Sequence, residues 1–141
     1  MQSTFTLNPT RVQHAAEVLT NQCHGLAHAS GWWLNLKTGE DMTADLRAGE
    51  EPKRNIGELL ALVHSEVSEA MEGARKGLND DKLPHRPMLE VELADAVIRI
   101  FDMAGGLGLD VAGAIAEKLE FNATRADHKP DNRRAEGGKK F

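Results

Sequence analysis

Between Asn55 and Gly108 the sequence carries two apolar repeats of helical period, each holding an acidic pair three residues apart. In the first, Ile56, Leu60, Val63, Val67, Ala70 and Ala74 recur at steps of four and three. In the second, Leu89, Leu93, Ala96, Ile100, Met103 and Leu107 repeat the pattern. Such spacing predicts two amphipathic helices, each with one buried stripe. The segment between them holds Gly77, Asn79, Asp80, Asp81, Pro84 and Pro87 and is too short for a parallel return, so the helices should run antiparallel.

The acidic pairs are Glu66-x-x-Glu69 and Glu92-x-x-Asp95. At about 100° per residue, Glu66 lies roughly 80° and Glu69 roughly 140° to one side of its seam, and Glu92 and Asp95 take about the same offsets in the same sense. Equal offsets of equal sense converge in an antiparallel hairpin and diverge in a parallel pair. Distance from the turn agrees, since Glu66 matches Asp95 and Glu69 matches Glu92. One Glu-x-x-Glu is commonly a solvent-facing flank; two matched pairs with no lysine on the same stripe argue for a shared site. Four carboxylates at close quarters stay ionised only beside positive charge. Oxygen-only ligation suits Mg²⁺ or Mn²⁺, which keep open positions for water and phosphate oxygens. Glu66, Glu69, Glu92 and Asp95 are therefore the candidate metal-binding and catalytic residues. Glu69, at the larger offset and nearer the open side, is the candidate proton acceptor.

The rest of the chain reads as support. Met1–Leu7 is a short arm, and Asn8-Pro9 starts a helix with its seam on Val12, Ala16, Leu19, Cys23 and Leu26, ending near Ser30-Gly31. His14, His24 and His28 on that helix have no zinc-like spacing and read as solvent-facing or hydrogen-bonded. Trp32 and Trp33 stand together as a plug for one end of the bundle, as a wall that stacks on a nucleobase, or as one of each. Asn55 with Glu58 forms a capping-box pattern, and Arg99 can pair with Asp95 one turn before it. Asp110 caps a fourth helix with apolar positions Val111, Ile115, Leu119 and Ala126. Its other stripe, Lys118, Asn122, Arg125 and Lys129, suits a phosphate chain already partly neutralised by metal. Residues 130–141 read as a flexible basic tail, whose Lys139 and Lys140 can fold over a bound triphosphate.

At 141 residues this is one domain, with a core over about 8–129. A formal charge of −5 with no dominant basic face argues against a nucleic-acid polymer as partner. One cysteine suits a reducing cytosol, and neither a secretory signal nor a membrane span is visible, so a cytoplasmic protein is expected. The expected fold is an all-α antiparallel bundle of about four helices. With aromatics at only 4%, its apolar stripes should be completed by oligomerisation.

The paired acids on successive helices, followed by Lys118, Asn122 and Arg125, resemble the MazG-like all-α nucleoside triphosphate pyrophosphohydrolases over roughly Asn55 to Lys129. The Trp-Trp segment and the Gly-Gly-Lys-Lys-Phe end resemble the compact, single-domain, phage-type branch. The resemblance implies a homodimer or homotetramer that uses Mg²⁺ to cleave a nucleoside triphosphate between the α and β phosphates. It also implies that Glu66, Glu69, Glu92 and Asp95 ligate metal while Lys118, Asn122 and Arg125 contact phosphate or sugar. Two adjacent tryptophans favour a broad base, and hence a purine deoxynucleotide such as dGTP. A di-iron bundle would need Glu-x-x-His pairs and an HD-type phosphohydrolase a His-Asp dyad; the chain offers neither, having only the reversed Asp127-His128. The alternative outside catalysis is a helical oligomerisation or nucleotide- and metal-binding module.

Overall fold

Cap residues open three of the helices anticipated from the sequence. In the computed structural model, which describes residues 5–141, Asn8 accepts the Arg11 backbone N–H at 3.0 Å and starts α1, Pro9–Ala29. Asn55 accepts from Glu58 at 3.1 Å and starts α2, Ile56–Lys76; Gly77, with φ of 62°, ends it in the left-handed conformation that glycine adopts without penalty. Asp110 accepts from Gly113 at 2.8 Å and starts α4, Val111–Thr124. Between these lies α3, Met88–Gly106, which begins directly after the extended Pro87. A short α5, Pro130–Arg134, follows. The described residues are thus all-α, with single-turn 3-10 segments at Leu46–Ala48 and Ala126–His128 and isolated bridges in place of strands. None of these helices is long and apolar enough to cross a membrane. Of the arm expected over Met1–Leu7, the first four residues lie outside those described.

Two compact units divide the chain: Val18–Leu109, and the described part of Met1–Glu17 with Asp110–Phe141. In the first unit α2 and α3 form the antiparallel hairpin. Gly73 meets Met88 near the turn, Glu66 meets Arg99 further along, and Leu59 joins Met103 and Leu107 at the far end. The line of contact corrects the seam expected from the sequence. On α2 the buried residues are Leu59, Glu66, Ala70 and Gly73, and on α3 they include Glu92, Ala96, Phe101 and Ala104. Val67 and Leu93, taken for seam residues, are 49% and 47% exposed, and Leu60 and Leu89 are open as well. Small residues win the interface because they let backbones approach. A Cβ on Gly73 would lie 2.9 Å from the Met88 side chain. On α1 the expected seam holds at Ala16, which is buried, and fails at Leu19 and Leu26, which are exposed.

Trp33 organises the far end of this unit. It is fully enclosed at 0% exposure, packed with Leu59 and Leu107. Its indole N–H donates to Asp102 Oδ1 at 2.7 Å, and the same oxygen shares a 3.0 Å hydrogen bond with His24 Nδ1. Gly105 and Gly106, the last two residues of α3, are where that helix lets these rings approach. A Cβ on Gly105 would stand 2.5 Å from His24, and one on Gly106 would stand 2.1 Å from the Trp33 ring. The following loop is fastened to the same helix end by Ala44 N–H to the Gly106 carbonyl at 3.0 Å and Leu46 N–H to the Leu107 carbonyl at 3.1 Å.

The second unit departs from expectation at its carboxyl end. Helix α4 stops at Thr124, so Arg125, in extended backbone, and Ala126 are not part of a continuous helical stripe. Residues 130–141, the stretch read from the sequence as a basic tail, carry α5 and a fold-back. The Arg133 guanidinium donates to the carbonyls of Lys139 and Lys140 at 3.2 and 2.9 Å, and Asn132 Nδ2 donates to the Ala126 carbonyl at 2.6 Å.

Candidate active site

The line where α2 meets α3 is apolar except at its middle, where carboxylates replace hydrocarbon. Glu66 and Glu69 on α2 and Glu92 on α3 bring one oxygen each within 4.8 Å of one another, with Glu66 and Glu92 buried and Glu69 exposed. Asp95, one turn past Glu92 and partly buried, is not one of the three but is close enough for its charge to act on Glu92. Arg99 Nε donates to Glu66 Oε1 at 2.5 Å, and the charge of Lys82 also acts on Asp95. The partner expected for Arg99 was Asp95 on its own helix; the bond it makes crosses the hairpin.

Carboxylates gathered this closely leave negative charge incompletely compensated, which raises their affinity for protons. Burial, then hydrogen bonding to Glu66 and the charges of Glu69, Glu66 and Asp95, push the Glu92 carboxyl up to about 7. Burial and then the Glu66 charge also raise Asp95, opposed by Arg99. A divalent cation would supply the missing charge, and an all-carboxylate set within this span has the hard-oxygen chemistry of a Mg²⁺ or Mn²⁺ site. Glu66, Glu69 and Glu92 would hold it, with Asp95, the fourth acid expected from the sequence, one turn away on α3.

Beside the cluster is a cavity of about 570 Å³, within the size range of small-ligand pockets. Asp95 and Arg99 line it on the acidic side, with Trp32, Arg54 and Asp102 among its other walls. The tryptophan pair divides its labour. Trp32 is 73% exposed and lines the cavity. Trp33, also named as a candidate substrate contact, is enclosed and offers a ligand no free face, which matches the alternative of one tryptophan as plug and one at the pocket.

The basic candidates belong to the other unit. Lys118 stands 4.8 Å over the Phe121 ring, and Arg125, 5.7 Å from the same ring, is committed to Asp127 by bonds of 2.9 and 2.6 Å. Asn122 has a buried side-chain oxygen with no hydrogen-bond partner among the described residues. Lys139 Nζ lies 3.9 Å from Asp127, and Lys140 lends its carbonyl to Arg133.

Two cavity residues escaped the sequence reading. Asp102 gives no local signal, because its partners Trp33 and His24 are 69 and 78 residues away. Arg54 sits at the end of an irregular polar segment, and only the fold reveals its guanidinium 5.0 Å over the Trp33 ring. The remaining histidine on this side of α1, His28, bonds Asp41 at 3.0 Å, which holds that carboxyl well below the usual range. Compared with protein-family models, curated proteins and solved structures, the chain gives no match.

Proposed function

We propose that this protein is a Mg²⁺-dependent nucleoside triphosphate pyrophosphohydrolase of the MazG-like kind. The observation that carries the reading is the convergence of Glu66, Glu69 and Glu92 on one point of the α2–α3 line, beside a cavity walled by Asp95, Arg99 and an open tryptophan. Bound there, Mg²⁺ (or Mn²⁺) would acidify a water and neutralise phosphate oxygens. Arg99 fixes one rotamer of Glu66 and so keeps an anionic oxygen aimed at the cluster. Glu69, the exposed member, accepts the water's proton, a role worth typically 10²- to 10⁴-fold in rate. The water oxygen bonds the α-phosphorus, the α–β bridging P–O bond breaks, and pyrophosphate leaves with the electron pair. Trp32 stacks on the base, which favours the larger purines and gives a slight preference for a substrate such as dGTP. A cytoplasmic setting, where free nucleotides and Mg²⁺ are at hand, goes with this chemistry.

The test is a panel of NTPs and dNTPs, oxidised and deaminated ones included, with pyrophosphate and orthophosphate measured separately. Pyrophosphate with nucleoside monophosphate is the expected product pair. Orthophosphate as the first product would overturn α–β cleavage, and nucleotide binding without any turnover would leave a non-catalytic nucleotide-binding module.

The second reading, an oligomerisation module, draws on the outward apolar lines of the same hairpin, Leu60, Val67 and Met71 on α2 and Leu89, Leu93 and Val97 on α3. The enzyme reading uses them too, as the surface on which copies assemble into a homodimer or homotetramer. Val67→Lys with Leu93→Lys is expected to reduce the wild-type oligomer to monomer in light scattering after size exclusion. A wild-type protein that is monomeric at micromolar concentration would remove this surface from the proposal.

A further inference from the structure

Two cations line the cavity beside the acidic cluster, and they are differently committed. Arg99 is bonded to Glu66. Arg54 makes no ion pair with a carboxylate among the described residues. Its guanidinium lies 5.0 Å over the enclosed Trp33 ring, and one terminal nitrogen donates to the Trp32 carbonyl at 3.3 Å. Stacking and the carbonyl bond hold the guanidinium plane in one orientation, while a guanidinium carries five N–H donors in a fixed fork. The remaining donors are therefore pre-positioned and available to the cavity. A partly buried guanidinium without an anion is a costly arrangement, and a phosphate is the anion whose oxygens the fork matches two at a time.

We propose that Arg54 binds the terminal phosphates of the substrate, the pair that departs as pyrophosphate. The inference rests on the hydrolase reading and assigns a residue to the leaving group. The attacked phosphate must lie against the carboxylates that place the water. Charge then grows on the departing β-phosphate, and Arg54 is the one cavity cation not already spoken for. Trp33 supplies the rigid platform, so its burial serves the site although it touches no ligand. Lysine at this position would keep the charge and lose the two-point fork.

Inorganic pyrophosphate and a nucleoside monophosphate, each with Mg²⁺, are titrated into wild type, Arg54→Gln and Arg54→Lys by calorimetry, and KM and kcat are measured for the best triphosphate. Arg54→Gln is expected to weaken pyrophosphate at least tenfold and raise KM for triphosphate similarly, while monophosphate affinity stays within twofold of wild type. Arg54→Lys should fall between the two. Unchanged monophosphate binding also certifies that the variant cavity is folded. Equal weakening of both ligands would mean that Arg54 only supports the cavity wall, and no weakening of pyrophosphate would mean that it does not bind the leaving group; either overturns the assignment. Hydrolysis with a KM indifferent to Arg54→Gln would retain the hydrolase and remove Arg54. Arg54-dependent pyrophosphate binding in a protein that releases none from any nucleotide would retain the anion site and remove the hydrolase.

Discussion

Glu92→Gln is expected to abolish metal-dependent turnover and, in the same protein, to raise the thermal stability of the metal-free fold. Glu92 is only 7% exposed and shares its surroundings with Glu66, Glu69 and Asp95, which together push its carboxyl up to about 7. A carboxyl whose folded-state affinity for protons is raised contributes full stability below its unfolded value, and that contribution is lost as pH rises through the folded value. The metal-free protein should therefore weaken progressively between about pH 5 and 8. Glutamine keeps the shape and cannot ionise, so it removes that slope. Water reaching the cluster past the exposed Glu69 screens part of the repulsion, so the gain at pH 8 is of order 1–2 kcal/mol, with little change at pH 5. The loss of an anionic ligand should lower turnover at least about a hundredfold.

Thermal melts in chelator at pH 5 and pH 8, alongside pyrophosphate release with Mg²⁺, check both halves. A Glu92→Gln protein that melts lower than wild type at pH 8 would refute the charge argument, and one with near-normal turnover would remove Glu92 from the site. Mg²⁺ should stabilise wild type more at pH 8 than at pH 5, because at the lower pH the proton competes for the same oxygens. Glu66→Gln is the less clean variant, since it also deprives Arg99 of its partner.

The sequence anticipated the meeting of Glu66, Glu69 and Glu92 through a register that the structure corrects. Leu60, Val67 and Leu93 looked like the seam because they are the bulky members of each repeat. Helix α2 in fact has two apolar lines. The inner one, through Leu59, Ala70 and Gly73, is built of residues chosen for close approach and includes Glu66 itself. Side-chain size cannot tell an inner line from an outer one when the helices meet through alanine and glycine. Convergence survived because Glu66 and Glu92 themselves lie among the buried residues of the two helices, where α2 and α3 face each other. Helix starts were legible for a simpler reason: Asn8, Asn55 and Asp110 act on backbone three residues away, within the reach of local pattern. The end of α4 was not, because nothing in Thr124-Arg125-Ala126 forbids helix, and the turn there is closed by Asp127 on Arg125 and by Asn132 on the Ala126 carbonyl. Trp33, Asp102, His24 and Arg54 meet only in the folded chain. Their one trace in sequence is the Gly105-Gly106 pair inside an apolar run, which marks a close approach as readily as a stop.

Gly106→Ala should test that close approach with an inversion of sign. Within a helix, alanine in place of glycine ordinarily adds about 0.5–1 kcal/mol of stability. Here the new Cβ would meet Trp33 ring carbons at 2.1, 2.3 and 2.5 Å, and the ring is enclosed, so it cannot swing aside into solvent. The expected result is a loss of about 2–3 kcal/mol in urea unfolding, the upper range for overpacking a core. Trp33→Ala alone should cost about 3–5 kcal/mol through the cavity it leaves. In the double variant the methyl group has no ring to strike, so the two losses should not add, and the pair should unfold at or above the midpoint of Trp33→Ala alone. Strict additivity would show that Gly106 is needed for some reason other than the indole against it. The result bears on the site as well as the fold. Trp33 carries Arg54 on one face and holds Asp102 by its N–H, so a displaced ring moves two walls of the cavity at once. Gly106→Ala protein that remains folded at low temperature should therefore bind pyrophosphate more weakly than wild type, while its carboxylate cluster, set further along the hairpin, still takes up metal.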